Sequence, residues 1–313
     1  MLHLRKVAPF VPSSRIPVAE LRSAIGLSTQ EVRLFTRFLG LSEIASADGL
    51  TVLDMLLAAG EEALAGTDRA NVRYLIHAHT TQHVAPPGLR MVDSLREKLG
   101  LTSARSFSMS QQSCVTALYA LKVAQALLGA EPAGSTALVV VGEKVLSAPF
   151  QHIPETTVQG DAAVASLVAL SGPGDSLLGS AYHTHGMFHA TRYMSPSLFA
   201  SYRKEYGPFL AAVIRDAVRD AGVSLDDISL VLPHNVNRFS WTIVARELSL
   251  PVSRIYLETV PLIGHCFGAD PFVNLAAARA SGLVRPGSVV VLASAGQGGT
   301  FGAVVVRIGE NEN

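Results

Sequence analysis

The chain has 313 residues, 49% of them apolar and 16% charged, enough for one large domain or two closely packed ones around a sizeable core. Acidic and basic residues balance at 25 each, with no basic run and no acidic tail, so neither nucleic acid nor a membrane surface is an expected partner. No apolar run is long enough to cross a bilayer, the N-terminus lacks an apolar signal core, and two cysteines form no disulfide framework; the expectation is a cytoplasmic enzyme with reduced thiols.

In chain order, residues 12–70 carry helical patterns, clearest in 52–66 (VLDMLLAAGEEALAG), where Gly66 is a plausible stop. A strand, 73–79 (RYLIHAH), then leads to a long apolar helix from Cys114 to about Leu128. A Gly134-Ser135 turn, the strand 137–143 (ALVVVGE) and the small-residue segment 160–170 (GDAAVASLVAL) follow. The second half repeats that order: strand 228–234 (ISLVLPH), a helix from about Pro271 to Leu283, a Gly287-Ser288 turn, strand 289–295 (VVVLASA) and a closing strand 302–308 (GAVVVRI). Continuous Val, Leu and Ala runs suit strands buried on both faces, and alternation with helices implies parallel βαβ units. The expected class is α/β, two βαβ-type halves sandwiching central helices, with boundaries at 1–172 and 173–313. Residues 174–210, rich in aromatics and histidine, break the pattern and are expected as a strand plus a loop covering the site.

Cys114 follows a polar run and opens the first buried helix, where the helix dipole favours a thiolate; a lone cysteine is otherwise a small buried hydrophobe. His234 ends a strand in LPHNVNR, the place where parallel sheets put general bases and donors. Asn235 and Asn237 beside it can orient the ring or cap the next helix. His265 lies in the Gly-flanked turn IGHCFGADP before the second central helix, in a position corresponding roughly to the turn that carries Cys114. Two equivalent helix starts would bring one nucleophile, two imidazoles and backbone N–H groups to a common centre. Cys266 reads as structural. The run 296–302 (GQGGTFG) allows close backbone approach, and an N–H there, with that of Cys114, suits an oxyanion hole.

The order of these motifs resembles β-ketoacyl-acyl-carrier-protein synthase III and its relatives in the thiolase superfamily, over residues 10 to 308 or so. The segment 105–128 matches the family's nucleophile region, 159–168 (QGDAAVASLV) its FGDGAGA-type strand, and His234 to Asn237 its His-Gln-Ala-Asn. The resemblance implies a thiolase fold of αβαβα layers, a homodimer, an acyl-Cys114 intermediate and His234 as catalytic histidine. It also implies an oxyanion hole of the Cys114 and Gln297 N–H groups, with Asn237, Arg238 and Gly298 at the substrate. Arg238 would meet the phosphates of coenzyme A or phosphopantetheine, or else stand solvated on the surface. The substrates ride on coenzyme A or an acyl carrier protein, and no bound cofactor or metal is called for; the cluster His183, His185 and His189 reads as a polar loop rather than a metal site.

His265 stands where the family has asparagine, giving a Cys114–His234–His265 set, and the Gln-Gln-Ser before Cys114 is more polar than the family's small stretch. Decarboxylative condensation with a malonyl thioester in a specialised-metabolite pathway is the first expectation. Transfer of the acyl group to a hydroxyl or amine is the alternative, and a non-catalytic partner subunit is the third.

Overall fold

The computed structural model describes residues 1–86 and 88–310. Nine strands matter for the site: β1 (His3–Phe10), β2 (Val72–Ala78), β3 (Arg105–Met109), β4 (Thr136–Glu143), β5 (Ala162–Ala169), β6 (Asp175–Thr184), β7 (Ile228–Pro233), β8 (Val289–Gly296) and β9 (Thr300–Arg307). Among the described residues they form one nine-stranded sheet in the order β7-β8-β9-β6-β1-β5-β4-β2-β3. The helices that position the site are α1 (Val52–Leu64), α2 (Met91–Lys98), α3 (Thr116–Leu128), α4 (Pro196–Asp220), α5 (Arg238–Glu247) and α6 (Asp270–Ala280).

The internal repeat is visible in strand direction. From β1 outward, the neighbours run antiparallel, antiparallel, then parallel through β5, β4 and β2; from β6 outward, β9, β8 and β7 repeat that series. Among the described residues the two half-sheets are joined through β1 and β6, at His3–Ser176 and Leu4–Asp175. Helix α3 packs on β2, β4 and β9, and α6 packs on β7, β8 and β1, so each central helix touches strands of both halves. Helices α1 and α2 cover the outer face of the first half, α4 and α5 that of the second. The layers therefore run αβαβα, as the sequence pattern and the resemblance imply.

Each apolar strand feeds two cores because its side chains alternate faces. In β4, Ala137, Val139 and Val141 face the central helices, while Leu138 and Val140 face α1 and α2. In β8, Val290 and Leu292 point inward, and Val289, Val291 and Ala293 point to α4 and α5. A strand between two helix layers needs apolar residues at every position, which is why these segments show no polar alternation. Residues of the first half, including Val18, Leu27, Phe35 and Leu41, pack into the outer core of the second.

Helix α1 begins and ends as the sequence implies. Thr51 and Asp54 form a capping box, and Gly66 adopts φ 78° just beyond the end. One expectation is corrected, and one inequality of the repeat emerges. The segment 174–210 is not strand plus loop to its end, because the 25-residue helix α4 starts at Pro196, with Ser195 accepting from the Leu198 N–H. Gly207 and Pro208 inside that helix hide its periodicity; Gly207 is required because a Cβ there would collide with Ile243 of α5. The histidines near the ends of β2 and β7 are also not equivalent. Val72 pairs with Thr136 as Ile228 pairs with Val289, so His234 corresponds to Ala78, one residue beyond His77. That single step reverses the face: the His77 ring contacts Gly142 O at 3.1 Å, while His234 turns toward the site.

Leu118 on α3 is fully buried in the core shared by both half-sheets. Leu118→Ala is expected to lower the unfolding free energy by about 2–5 kcal/mol, read from the urea midpoint at unchanged slope; a loss well below that range would mean the central layer relaxes to fill the space.

Candidate active site

Cys114 lies in a single 3₁₀ turn, Ser113–Val115, that runs directly into α3. The residue before it, Ser113, has φ 53°, a conformation that costs a non-glycine residue of order 1–3 kcal/mol and persists only where the surroundings fix it. The surroundings here are Gly296 at the end of β8, where any Cβ would strike Gln112 O and the Ser113 side chain, and Thr300, whose hydroxyl donates to Gln112 O at 3.1 Å. The close backbone approach expected of the glycine run is thus made to the nucleophile's own segment. The pseudo-symmetric turn, Phe267–Ala269, opens α6 in the same way, with Phe267 at φ 53°. The two turns pack back to back: a Cβ on Gly268 would lie 3.0 Å from Ala117 Cβ and 3.1 Å from Cys114 O.

His265 is delivered by the segment before that second turn. Its N–H donates to Val158 O at 3.0 Å and its carbonyl accepts from the Gly160 N–H at 3.0 Å. A side chain at Gly160 would collide with Ile263 O, which explains the glycine opening GDAAVA. The next residue, Asp161, accepts from the Ala47 and Val145 N–H groups, both at 2.8 Å, and so ties the motif to two loops.

The Cys114 sulfur is 3.6 Å from His265 Nε2. The other ring nitrogen, Nδ1, donates to the Asp270 carboxylate at 2.5 Å, and Asp270 also accepts from the Asn235 N–H at 2.6 Å and the Cys266 N–H at 2.8 Å. All three side chains are buried. Burial alone would push the His265 imidazole down, but the Asp270 carboxylate and the Cys114 sulfur win and raise it to about 10. The ring is therefore an imidazolium at neutral pH, aimed at the sulfur, and the set is Cys–His–Asp. Thr80 adds a hydroxyl that donates to the sulfur at 3.5 Å; its loop is held by buried Glu143, which accepts from the Thr80 N–H and from the Thr81 N–H at 2.7 Å.

His234 has the opposite environment. Burial first, then the His265 charge whose ring lies 5.8 Å away, drive its pKa well below the ordinary imidazole value, so it is neutral. Its Nε2 is 2.7 Å from the Tyr206 hydroxyl, and its carbonyl accepts from Trp241 Nε1 at 2.8 Å. The two histidines thus differ in charge because one has a carboxylate partner and the other has none.

These groups line one cavity of about 640 Å³, walled on the α4 side by Phe199, Tyr202 and Tyr206. Cys114, His234, His265, Gln297, Gly298 and Asn237 all reach it. The Asn237 side chain is already engaged: its oxygen caps α5 through the Ser240 N–H at 2.7 Å, and its amide donates to Thr156 O at 2.9 Å. Asn235 joins a buried network with Thr259 and Asn274 rather than touching the ring of His234. Arg238 is exposed, lies over Gly40 and does not line the cavity. Cys266 is buried with its thiol pushed up by burial and by Asp270, and it acts as a core residue. His183 pairs with Asp216 at 3.0 Å and His185 stacks on Phe209; among the described residues no three metal-ligating side chains converge. No helix among them is long and apolar enough to cross a membrane.

Sequence reasoning passes over Asp270, Tyr206 and Thr80. Asp270 had a readable signal, an aspartate in the first turn of a helix and five residues after a candidate histidine. Tyr206 and Thr80 had none, since each arrives from a distant segment.

Residues 218–308 match the family of 3-oxoacyl-[acyl-carrier-protein (ACP)] synthase III, C-terminal part. The chain is 30% identical over 282 residues to the β-ketoacyl-[acyl-carrier-protein] synthase III of Rhodospirillum centenum, a match covering 84% of this chain and 85% of that relative. Among solved structures it is similar to ChlB3, named as an acyltransferase, with TM-score 0.87, 22% identity and 99% and 98% of the two chains covered. It is also similar to 3-oxoacyl-(acyl carrier protein) synthase III of Pseudomonas aeruginosa PAO1, with TM-score 0.82, 21% identity and 100% and 99% covered.

The His265 charge gives a pH prediction. A folded-state pKa of about 10 against an ordinary 6.5 contributes stability that is complete below 6.5 and is lost as the pH rises through about 10. In Asp270→Asn that alkaline loss should flatten, and the His265 ring should titrate at lower pH by NMR. An unchanged titration would show that Asp270 does not hold the charge.

Proposed function

The chain belongs to the β-ketoacyl-[acyl-carrier-protein] synthase III family of acyltransferases, and we propose that it loads an acyl group from a thioester donor onto Cys114 and passes it to a nucleophilic heteroatom of a second substrate. The observation that carries this reading is the Cys114–His265–Asp270 line, 3.6 Å and then 2.5 Å. An asparagine at His265 could only form hydrogen bonds, whereas an imidazole backed by a carboxylate can give and take a proton.

The steps balance through that one ring. The Cys114 sulfur, as thiolate, attacks the donor carbonyl; the new C–Sγ bond forms, the donor's C–S bond breaks, and its leaving thiolate takes the His265 Nε2 proton. His265 is then neutral and still donates to Asp270 through Nδ1. The acceptor heteroatom attacks the acyl-Cys114 carbonyl, its proton moves to His265 Nε2, and the C–Sγ bond breaks to restore the starting pair. The backbone N–H groups of Cys114 and Gln297 are the proposed oxyanion donors. Gly298, with φ 89°, lets the turn that carries Gln297 form.

The donor is proposed as an acyl thioester of coenzyme A or of an acyl carrier protein in the cytoplasm, with no bound cofactor and in a specialised-metabolite pathway. The proposed working unit is a homodimer, a reading supported by the family and by β3 forming an edge of the sheet. Arg238 and Asn237 would meet the donor at the rim, Arg238 from outside the cavity. Decarboxylative condensation with a malonyl thioester is the second reading. It is favoured by the names of the curated relatives, and it would need both imidazoles to donate to the malonyl carbonyl as CO₂ leaves and the enolate attacks acyl-Cys114.

Intact-mass measurement after incubation with a panel of acyl-coenzyme A and acyl-carrier-protein thioesters should show one acyl addition, absent in Cys114→Ala. Turnover that survives Cys114→Ala would overturn both readings. The loaded enzyme separates them: release by alcohol or amine acceptors supports transfer, whereas release by malonyl thioester with CO₂ supports condensation. His265→Asn is expected to cut heteroatom transfer by about 10²–10³-fold and to spare condensation; equal losses in both activities would remove the base role from His265.

A further inference from the structure

Acyl transfer and decarboxylative condensation place different demands on His234. Transfer needs one proton acceptor, and His265 Nε2 supplies it. Condensation needs hydrogen-bond donors at the malonyl thioester oxygen, where negative charge collects as the C–CO₂ bond breaks. The electron pair of that bond passes through the enolate to the acyl-Cys114 carbonyl. A C–C bond forms, the C–Sγ bond breaks, and one thiolate is left for the one carboxylate consumed. His234 can serve this step only with a free hydrogen on a nitrogen that faces the cavity.

Neither nitrogen offers one. Nδ1 is buried on the side of the Ala293 carbonyl, the backbone acceptor for the ring. The hydrogen of the neutral ring therefore sits on Nδ1, and Nε2 is a bare lone pair that accepts from the Tyr206 hydroxyl at 2.7 Å. The other tautomer leaves His234 no freer, because its Nε2 hydrogen would be given to Tyr206 Oη across the same distance.

Tyr206 is held in that place by packing. It lies on α4 and lines the cavity with Cys114, His234 and His265. Its ring meets those of Tyr202 and Phe301, each at 5.9 Å between centroids. The next residue, Gly207, lets α4 approach α5 so closely that a Cβ would strike Ile243. The hydroxyl is thus delivered by a helix fixed against its neighbours. Resting on the acyl-transfer reading above, we propose that Tyr206 is a specificity-determining residue: its hydroxyl masks His234 Nε2, denies a malonyl thioester one of its two enolate donors, and so commits acyl-Cys114 to transfer.

The experiment uses full-length enzyme preloaded at Cys114 from whichever acyl thioester gives the mass gain, which also shows that each variant folds. Malonyl-N-acetylcysteamine, isotopically labelled in its carboxylate, is the condensation probe; labelled CO₂ and the β-ketoacyl product are measured together. Hydroxylamine is the transfer probe in a parallel reaction, its hydroxamate counted above that formed from denatured acyl-enzyme. Tyr206→Leu keeps apolar bulk on α4 and removes the hydroxyl, and Tyr206→Ala also opens the space beside Nε2. Both should raise the ratio of condensation to transfer by about 100-fold, the usual worth of one donor to a developing oxyanion. Adding His234→Ala to either should return the ratio to the wild-type value. A ratio that stays at the wild-type value in both variants overturns the proposal. So does a gain that survives His234→Ala, which would assign it to cavity space rather than to the unmasked ring. In either case the transfer reading stands as long as the wild-type acyl-enzyme forms hydroxamate. A wild-type acyl-enzyme that condenses with release of labelled CO₂ and forms no hydroxamate above background sinks that reading instead.

Discussion

The hydrogen bond between the Asp270 carboxylate and His265 Nδ1 is the constraint on which the site depends. A carboxylate and an imidazolium taken out of water cost free energy unless each remaining polar atom finds a partner. Asp270 meets that condition with the N–H groups of Asn235 and Cys266. Those partners come from the end of β7 and from the turn before α6, so one carboxylate fixes the second-half strand that carries His234 and the turn that carries His265. Through Nε2 the same line reaches the start of α3 in the first half. The two halves of the molecule are thus joined at their centre by charge as well as by apolar packing.

That junction is close-packed to the point of excluding side chains. Gly160, Gly268 and Gly296 each stand where another backbone or a catalytic segment passes within van der Waals distance. Ser113 and Phe267 are held at φ 53° in the two equivalent turns. Such conformations are sustained by surrounding contacts rather than by the residues themselves. The repeated βαβ architecture supplies those contacts twice, once for the nucleophile and once for the histidine that serves it.

The two imidazoles show how one cavity separates roles. Both are buried, yet His265 is charged and His234 is neutral, because only His265 has a carboxylate at its second nitrogen. A charged ring next to a sulfur handles protons, while a neutral ring bonded to a phenol stays in the cavity as a hydrogen-bonding group. The aromatic wall supplied by α4 puts apolar surface beside both imidazoles, which lowers the local dielectric and strengthens both interactions.

The sequence by itself determined the layered α/β class, the repeated order of elements and the candidates Cys114, His234 and His265. Buried strands and a buried helix leave uninterrupted apolar runs, and reactive residues at their ends stand out against them. It also carried Asp270 in plain view, in a position that admits a simple helix-start reading. Only the tertiary structure decided the rest. The one-residue offset between His77 and His234 depends on strand register, which no single strand records. Helix α4 was hidden by Gly207 and Pro208, whose reason lies in its packing on Ile243 of α5. The engagement of Asn237 in a helix cap, the exposed place of Arg238, and the arrival of Tyr206 and Thr80 beside the reacting groups all come from contacts between segments far apart in the chain. Local composition fixes which elements form and which faces are apolar; the charge state and partner of each catalytic group are fixed by what folding brings within hydrogen-bond distance.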